Sequence, residues 1–357
     1  MSAVRVGFVG AGMMAQVAHI PGFQQASGSE VVAIASTRPQ LLAQVADRFA
    51  IPRRYESHRE LAADPDIDLA AVIAPPELNV AYCLDLLEAG KHVFCEKPVA
   101  LCVADAQRLA DAAKANGRQL MVGFMKRSDA GVQAAKALVD QWLETGEAGK
   151  FIYARAHSFT GGDWLGNIAS LLPTLKTDEP TTPKQRTKGP DWLPERYGKE
   201  PLTFASAYYA FNHVHSHDMD LLNHFLGSDF EVVYADWSRP ARLALFDFAG
   251  KQATLEIGGP MPNNRWDEEI KLYFEHGWVN VQLPPPMLIN VPATVEVYRM
   301  TGQQELADVR APYSWSFLRQ AQNAVDVVAG DAEPICTIED GVAQLRMTEA
   351  IFRALPA

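Results

Sequence analysis

The chain has 357 residues, of which 48% are hydrophobic, and a formal net charge of −11. Such a length predicts two domains with sizeable cores and excludes general disorder. The acidic balance repels phosphate backbones and anionic lipid, so neither nucleic acid nor a membrane is expected as a partner.

Val4–Val9 is a short apolar run that ends in glycine and reads as a first strand, so no leader peptide is expected. A helical stretch begins at Met13, and Pro21 must kink or end it. Val31–Ser36, Leu69–Ala74, His92–Cys95 and Gln119–Phe124 read as further strands. Between them, Gln40–Phe49, Val80–Ala89 and Ala104–Asn116 have helical spacing, the last closed by Gly117. Strands alternating with helices predict βαβ units around a parallel sheet, ending near residue 127.

The pattern then changes. Phe151–His157 alternates like a strand, and residues 163–205 carry six prolines and read as a long ordered arm. Phe211–Leu226 opens with histidines and turns helical. Six strand-like runs follow: Glu231–Trp237, Arg242–Phe248, Gln252–Ile257, Glu269–Phe274, Trp278–Leu283 and Thr294–Tyr298. The short turns between them favour an antiparallel sheet. Two helices close the chain, one over 314–329 and one opening at Thr337 with Asp340 three residues on, a capping-box spacing. The predicted organisation is an α/β fold, with a Rossmann domain over 1–127 and, over 128–357, an α+β domain bearing an open, mainly antiparallel sheet. The terminal helices are free to pack back on the first domain. Four cysteines without a C-x-x-C pair predict reduced thiols in a cytoplasm. No apolar run reaches the roughly 18–20 residues of a membrane helix.

Gly10-Ala11-Gly12-Met13-Met14-Ala15 matches G-x-G-x-x-G/A between a strand and a helix, the context in which the motif binds a dinucleotide. Gly10 permits the tight turn, Gly12 lets the backbone approach a pyrophosphate, and Ala15 lets helix pack on strand. Gly12, Met13 and Met14 would offer N–H groups at the helix start. A glycine turn with no ligand is the bland alternative. The second strand ends in Ser36-Thr37-Arg38, with no acid for an adenosine ribose. Hydroxyls and a guanidinium can hold a 2′-phosphate, which favours NADP over NAD. Cys95-Glu96-Lys97-Pro98 ends the fourth strand, where ligands of such sheets bind. A lysine beside an oxidised nicotinamide feels a second positive charge, which lowers its pKa and eases proton exchange.

With these motifs the sequence resembles the Gfo/Idh/MocA oxidoreductases. The resemblance rests on GAGMMA at 10–15, Ala-Gly-Lys-His-Val-Phe-Cys-Glu-Lys-Pro at 89–98, Val-Gly-Phe-Met-Lys-Arg at 122–127, and His217-Asp218-Met219-Asp220-Leu221-Leu222. It implies NAD(P)(H) and hydride transfer at a carbon of a sugar, sugar acid or cyclitol. By resemblance, Lys97 binds and polarises the reacting oxygen and His217 shuttles the proton. Pro75, Asn79 and Glu96 belong with the cofactor, and Lys126, Arg127, His157 and Trp164 rim the substrate cleft. Asp220 orients the histidine ring if the stretch is helical. His213 replaces the family's usual aspartate four residues before the catalytic histidine. That exchange removes negative charge from the site, suits an acidic sugar, and leaves a redox-neutral glycoside cleavage open as a second reading. A non-catalytic cofactor-binding regulator is the third. His213, His215 and His217 share a strand face if extended, a pattern that also occurs in metal sites, but no metal is expected. The family commonly forms dimers or tetramers, so a homodimer or homotetramer is expected.

Overall fold

The computed structural model describes residues 3–160, 174–180, 189–197, 208, 211–212, 215–258 and 266–356, the side chains of Thr160 and Thr301 excepted. Two compact units are present. One comprises Met1–Met125, Ala169–Glu195 and Phe317–Leu345; the other comprises Lys126–Ile168, Arg196–Ser316 and Arg346–Ala357. Trp164 and His213 lie outside the described residues.

The first unit is built on a parallel sheet of six strands: β1 (Val4–Val9), β2 (Ser29–Ala35), β3 (Arg53–Tyr55), β4 (Leu69–Val72), β5 (His92–Cys95) and β6 (Leu120–Val122). Their order is β3-β2-β1-β4-β5-β6, so the winding reverses between β1 and β4. Ligands of such sheets bind beyond the carboxyl ends of the strands at that reversal. β4 is buried at every residue, as expected where helices cover both faces. One core joins Val72, Leu86 and Leu109 with Leu345. The other joins Phe8, Phe23 and Leu41 with Ala321 and Val325. The terminal helices Ser316–Ala329 and Ile338–Ala354 thus supply apolar faces to this unit. The capping box forms, with Asp340 Oδ2 accepting from the Thr337 backbone N–H at 2.8 Å.

Three features differ from the sequence reading. Pro21 does not end its helix: residues Ala15–His19 widen into a π-helical turn, and Ile20–Gln25 continue as α-helix with Pro21 in its first turn. The wider turn accommodates a ring that has no N–H to donate and would clash with the preceding turn. β3 and the short helix His58–Ala63 went unseen, since a three-residue edge strand Arg-Arg-Tyr shows no apolar alternation. The helix Ala130–Thr145 was also missed, although Asp129 caps it through Oδ1 to the Gly131 N–H (2.8 Å) and Gly146 ends it at φ 71°.

The second unit carries an eight-stranded sheet in the order β14-β13-β12-β11-β7-β10-β9-β8. Its strands are β7 (Phe151–Thr160), β8 (Glu231–Asp236), β9 (Arg242–Phe248), β10 (Lys251–Ile257), β11 (Trp266–Phe274), β12 (Gly277–Gln282), β13 (Thr294–Thr301) and β14 (Gln303–Val309). β7 pairs parallel with β10, and the other described neighbours pair antiparallel. β14 is an exposed edge with no apolar pattern to betray it. Alternation along β7 buries Ala154, Ala156 and Ser158 and leaves Tyr153, Arg155 and His157 half-buried on the opposite face.

Candidate active site

In the first unit the glycine loop has the form a dinucleotide requires. Gly10 sits at φ +112°, and a Cβ there would meet the Ile73 carbonyl oxygen at 2.1 Å. Only glycine fits that turn, which brings the loop against the end of β4. A Cβ on Gly12 would meet nothing within 4 Å, so space lies open beside the backbone where a pyrophosphate would approach. Ala15 is fully buried, as helix-on-strand packing demands. Met13 is exposed and Met14 half-buried at the helix start. Beyond β2, Ser36 is buried and its Oγ accepts from the Arg38 N–H at 3.3 Å, shaping the turn into the helix Pro39–Arg48. The residues present therefore fit a dinucleotide.

The segment after β5 is held by two residues that reach it from earlier in the chain. Asn79 is fully buried in the helix Pro76–Glu88, which Pro75 precedes. Its Nδ2 donates to the carbonyls of Glu96 at 3.2 Å and Pro98 at 3.0 Å. Glu96 is buried and meets the His19 ring nitrogen at 2.9 Å. His19, which sequence reasoning passed over, packs against Phe94 and Phe317 with ring centroids 5.5 and 5.4 Å away. Lys97 follows, half-buried, with a cis bond to Pro98. Asn79 and Glu96 thus position the backbone that presents Lys97.

The second unit gathers a buried polar cluster. Register places Ser158 of β7 beside Glu268 of β11, on the face opposite His157. Lys126 donates through Nζ to Glu268 Oε1, and Trp266 Nε1 donates to Glu268 Oε2 at 2.9 Å. Lys126, Glu268, Ser158, His215 and Asp218 are all buried. His215 Nδ1 lies 3.5 Å from Ser158 Oγ and 3.8 Å from Asp218 Oδ2. Burial pushes the Glu268 carboxyl up to about 8; Lys126 opposes that, and the Asp218 carboxyl adds to it. Burial lowers His215 to about 4, with the charges of Arg242 and Lys126 adding to the effect, so its ring is neutral at physiological pH.

The predicted substrate residues divide. Lys126 lies in this cluster. Arg127 forms a buried pair with Asp220, its Nε 2.9 Å from both carboxylate oxygens. Asp220, expected to orient the catalytic imidazole, pairs with Arg127. His217 stands half-buried in the first turn of the helix Ser216–Leu226, one residue before Asp218. His157 does not join the cluster: it is on the other face of the sheet, its Nδ1 3.0 Å from Glu256 and its ring stacked on Phe159. The hydrogen bond to Glu256 raises its pKa above the usual imidazole value. Glu268 and Ser158 were not foreseen. The signal for Glu268 was present, since it occupies an inward position of β11 in line with Ile270, Leu272 and Phe274. Among the described residues no group of three or more His, Cys, Asp or Glu is arranged to hold a metal ion. No described helix is long and apolar enough to cross a membrane.

Residues 4–124 match the family model for oxidoreductases with an NAD-binding Rossmann fold, GFO_IDH_MocA. Over these residues the chain is similar to the Gfo/Idh/MocA oxidoreductases. Relatives with curated names include an uncharacterized oxidoreductase of Rhizobium meliloti, 41% identical over 128 residues, 36% of this chain and 38% of that protein. Another is an inositol 2-dehydrogenase of Salmonella typhimurium, 30% identical over 178 residues, 49% of each chain. The chain thus spans less than half the length of these curated relatives. Among solved structures, a 3-ketoreductase from Actinomadura kijaniata, in complex with NADP and TDP-benzene, aligns at TM-score 0.72 and 21% identity over 99% of this chain and 98% of that one. An oxidoreductase from Agrobacterium radiobacter in complex with NAD+, L-tartaric acid and magnesium aligns at TM-score 0.74 and 18% identity over 99% and 96%. At these identities the likenesses show a shared fold.

Proposed function

We propose that the protein is an NAD(P)-dependent oxidoreductase acting on a hydroxyl or keto carbon of a sugar, sugar acid or cyclitol. The observation that carries this reading is the glycine loop, closed against Ile73 at Gly10 and open at Gly12, with Lys97 presented on the segment after β5. The nicotinamide, when bound, supplies a hydride acceptor or donor. Gly10, Gly12, Met13 and Met14 would hold the pyrophosphate, and Ser36, Thr37 and Arg38 the adenosine end. Lys97 binds the reacting oxygen and stabilises the charge that develops on it. His217 takes the hydroxyl proton in oxidation and returns it in reduction. The names of the curated relatives favour a polyol over other substrates.

The free cysteines, three of them buried, suit a reducing cytoplasm. The half-buried face of the second sheet, carrying Tyr153, Tyr273, Trp278 and Tyr298, suits pairing with a second copy, as a homodimer or homotetramer, which light scattering would establish. A screen of sugars, uronates and cyclitols with both dinucleotides, read at the reduced-nicotinamide absorbance, tests the activity. Lys97→Ala is expected to cut turnover by ~10²-fold or more, the size of a lost acid–base contribution. Turnover close to the parent's would refute the role of Lys97. Release of free sugar from a glycoside with no net cofactor reduction would replace dehydrogenation by redox-neutral cleavage.

A further inference from the structure

The end of β2 lacks the acid that reads an adenosine ribose, yet a carboxylate stands there. It belongs to Glu179, 139 residues from the group it touches. Glu179 Oε1 accepts from the Gln40 N–H at 2.8 Å and Oε2 from the Leu41 N–H at 2.9 Å, in the first turn of the helix Pro39–Arg48. The Thr177 hydroxyl donates to the same Oε2 at 2.8 Å. Partial desolvation pushes this carboxyl up, but the two backbone N–H groups, Thr177 and the charge of Arg38 outweigh it and hold it below the usual carboxylate range.

The segment that carries Glu179 is tied down at a second point. The Leu175 N–H donates to Gln16 Oε1 at 2.8 Å, and Gln16 Nε2 donates to the Leu175 carbonyl at 3.1 Å and the Ala11 carbonyl at 2.9 Å. Gln16 is buried just after the glycine loop. Residues 175–179 therefore bridge the helices that follow β1 and β2. In a dinucleotide fold these two helix starts receive the pyrophosphate and the adenosine ribose.

We propose that Glu179 is the residue that selects the cofactor, supplying from a distant segment the carboxylate missing from the end of β2, so that the protein takes NAD in preference to NADP. The inference rests on the dinucleotide reading above and reverses the NADP preference drawn from Ser36, Thr37 and Arg38 alone. A ribose 2′-hydroxyl can donate to this carboxylate. A 2′-phosphate cannot donate, and its charge is repelled. To reach Arg38 and the two N–H groups it would have to displace Glu179 from contacts already made. The helix start that reads in sequence as a phosphate site already has an anion on its N–H groups.

Dissociation constants of NAD and NADP, measured by calorimetry on the full chain, test this with no need of a substrate. The parent is expected to bind NAD at least about tenfold more tightly than NADP, about 1.4 kcal/mol. Glu179→Gln keeps an acceptor but removes the charge and should narrow that ratio about tenfold, mainly by tightening NADP. Thr177→Val, which keeps the charge but loosens its seat, should narrow it less, and it decides the matter if Glu179→Gln does not fold. An unchanged ratio in the folded variants makes Glu179 a helix cap only and overturns the proposal. So does an equal gain for both dinucleotides, which would make the segment a simple competitor, or a parent that prefers NADP. A parent that binds neither dinucleotide overturns the dinucleotide reading itself, and the proposal with it.

Discussion

The glycine loop of the first unit and the polar cluster of the second are built in opposite ways. The loop works through its backbone: six consecutive residues, two of them glycine, fix a turn and leave a helix start beside open space. The cluster works through side chains drawn from far apart: Lys126, Ser158, His215 with Asp218, and Glu268 meet only because sheet register and one helix bring them together. A backbone site is insensitive to most side-chain changes and fails when a Cβ intrudes. A buried side-chain site fails when one partner leaves another charge without its counterpart.

Substitutions can break or sharpen that contrast. The largest loss is expected from Arg127→Ala, which leaves the fully buried Asp220 without its guanidinium. Removing one partner of such a pair costs about 3–5 kcal/mol, and denaturant unfolding of the second unit would measure it. A loss below about 1 kcal/mol would class the pair with exposed ones. Next comes Gly10→Ala, which forces a positive φ on an L residue and drives Cβ into the Ile73 carbonyl. It should cost about 1–3 kcal/mol from the backbone strain alone and abolish dinucleotide binding. Undisturbed calorimetric titration of the variant would contradict the backbone account.

The smallest effect, and the most specific, is in pH. The Glu268 pKa is raised to about 8 in the folded chain, so the folded state holds a proton that the unfolded chain releases near the ordinary value of 4.5. The stability this contributes is complete below pH 4.5 and falls as pH rises towards about 8. His215 runs the other way. Its pKa is lowered to about 4 from 6.5, so its contribution is present above pH 6.5 and is lost as pH falls through about 4. Melting temperatures from pH 4 to 9 should show both flanks, and Glu268→Gln should flatten the alkaline one only. An alkaline flank unchanged in that variant would place the titrating group elsewhere.

Much of the fold was legible because its signals are local. Period-2 and period-3.6 apolar patterns located most strands and the longer helices, and Thr337 with Asp340 marked the start of the last helix. Arg53–Tyr55 and Gln303–Val309 were illegible for one reason: edge strands need no apolar face, so nothing in them alternates. The tight turn at Gly10 and the place of Lys97 just after β5 could be read from motif and context. The separation of His157 from Ser158 follows from the pleat, yet nothing in the sequence said which face of β7 the helix Ser216–Leu226 would cover.

By itself, then, the sequence determined the parallel α/β unit, the mainly antiparallel second sheet and the glycine loop, because each depends on residues a few positions apart. Only the tertiary structure decided that Glu268 is buried against Lys126, that Asp220 pairs with Arg127, and that a carboxylate beyond β2 comes from Glu179. Those pairings join residues far apart in the chain, and no local periodicity encodes which distant side chains will be desolvated together.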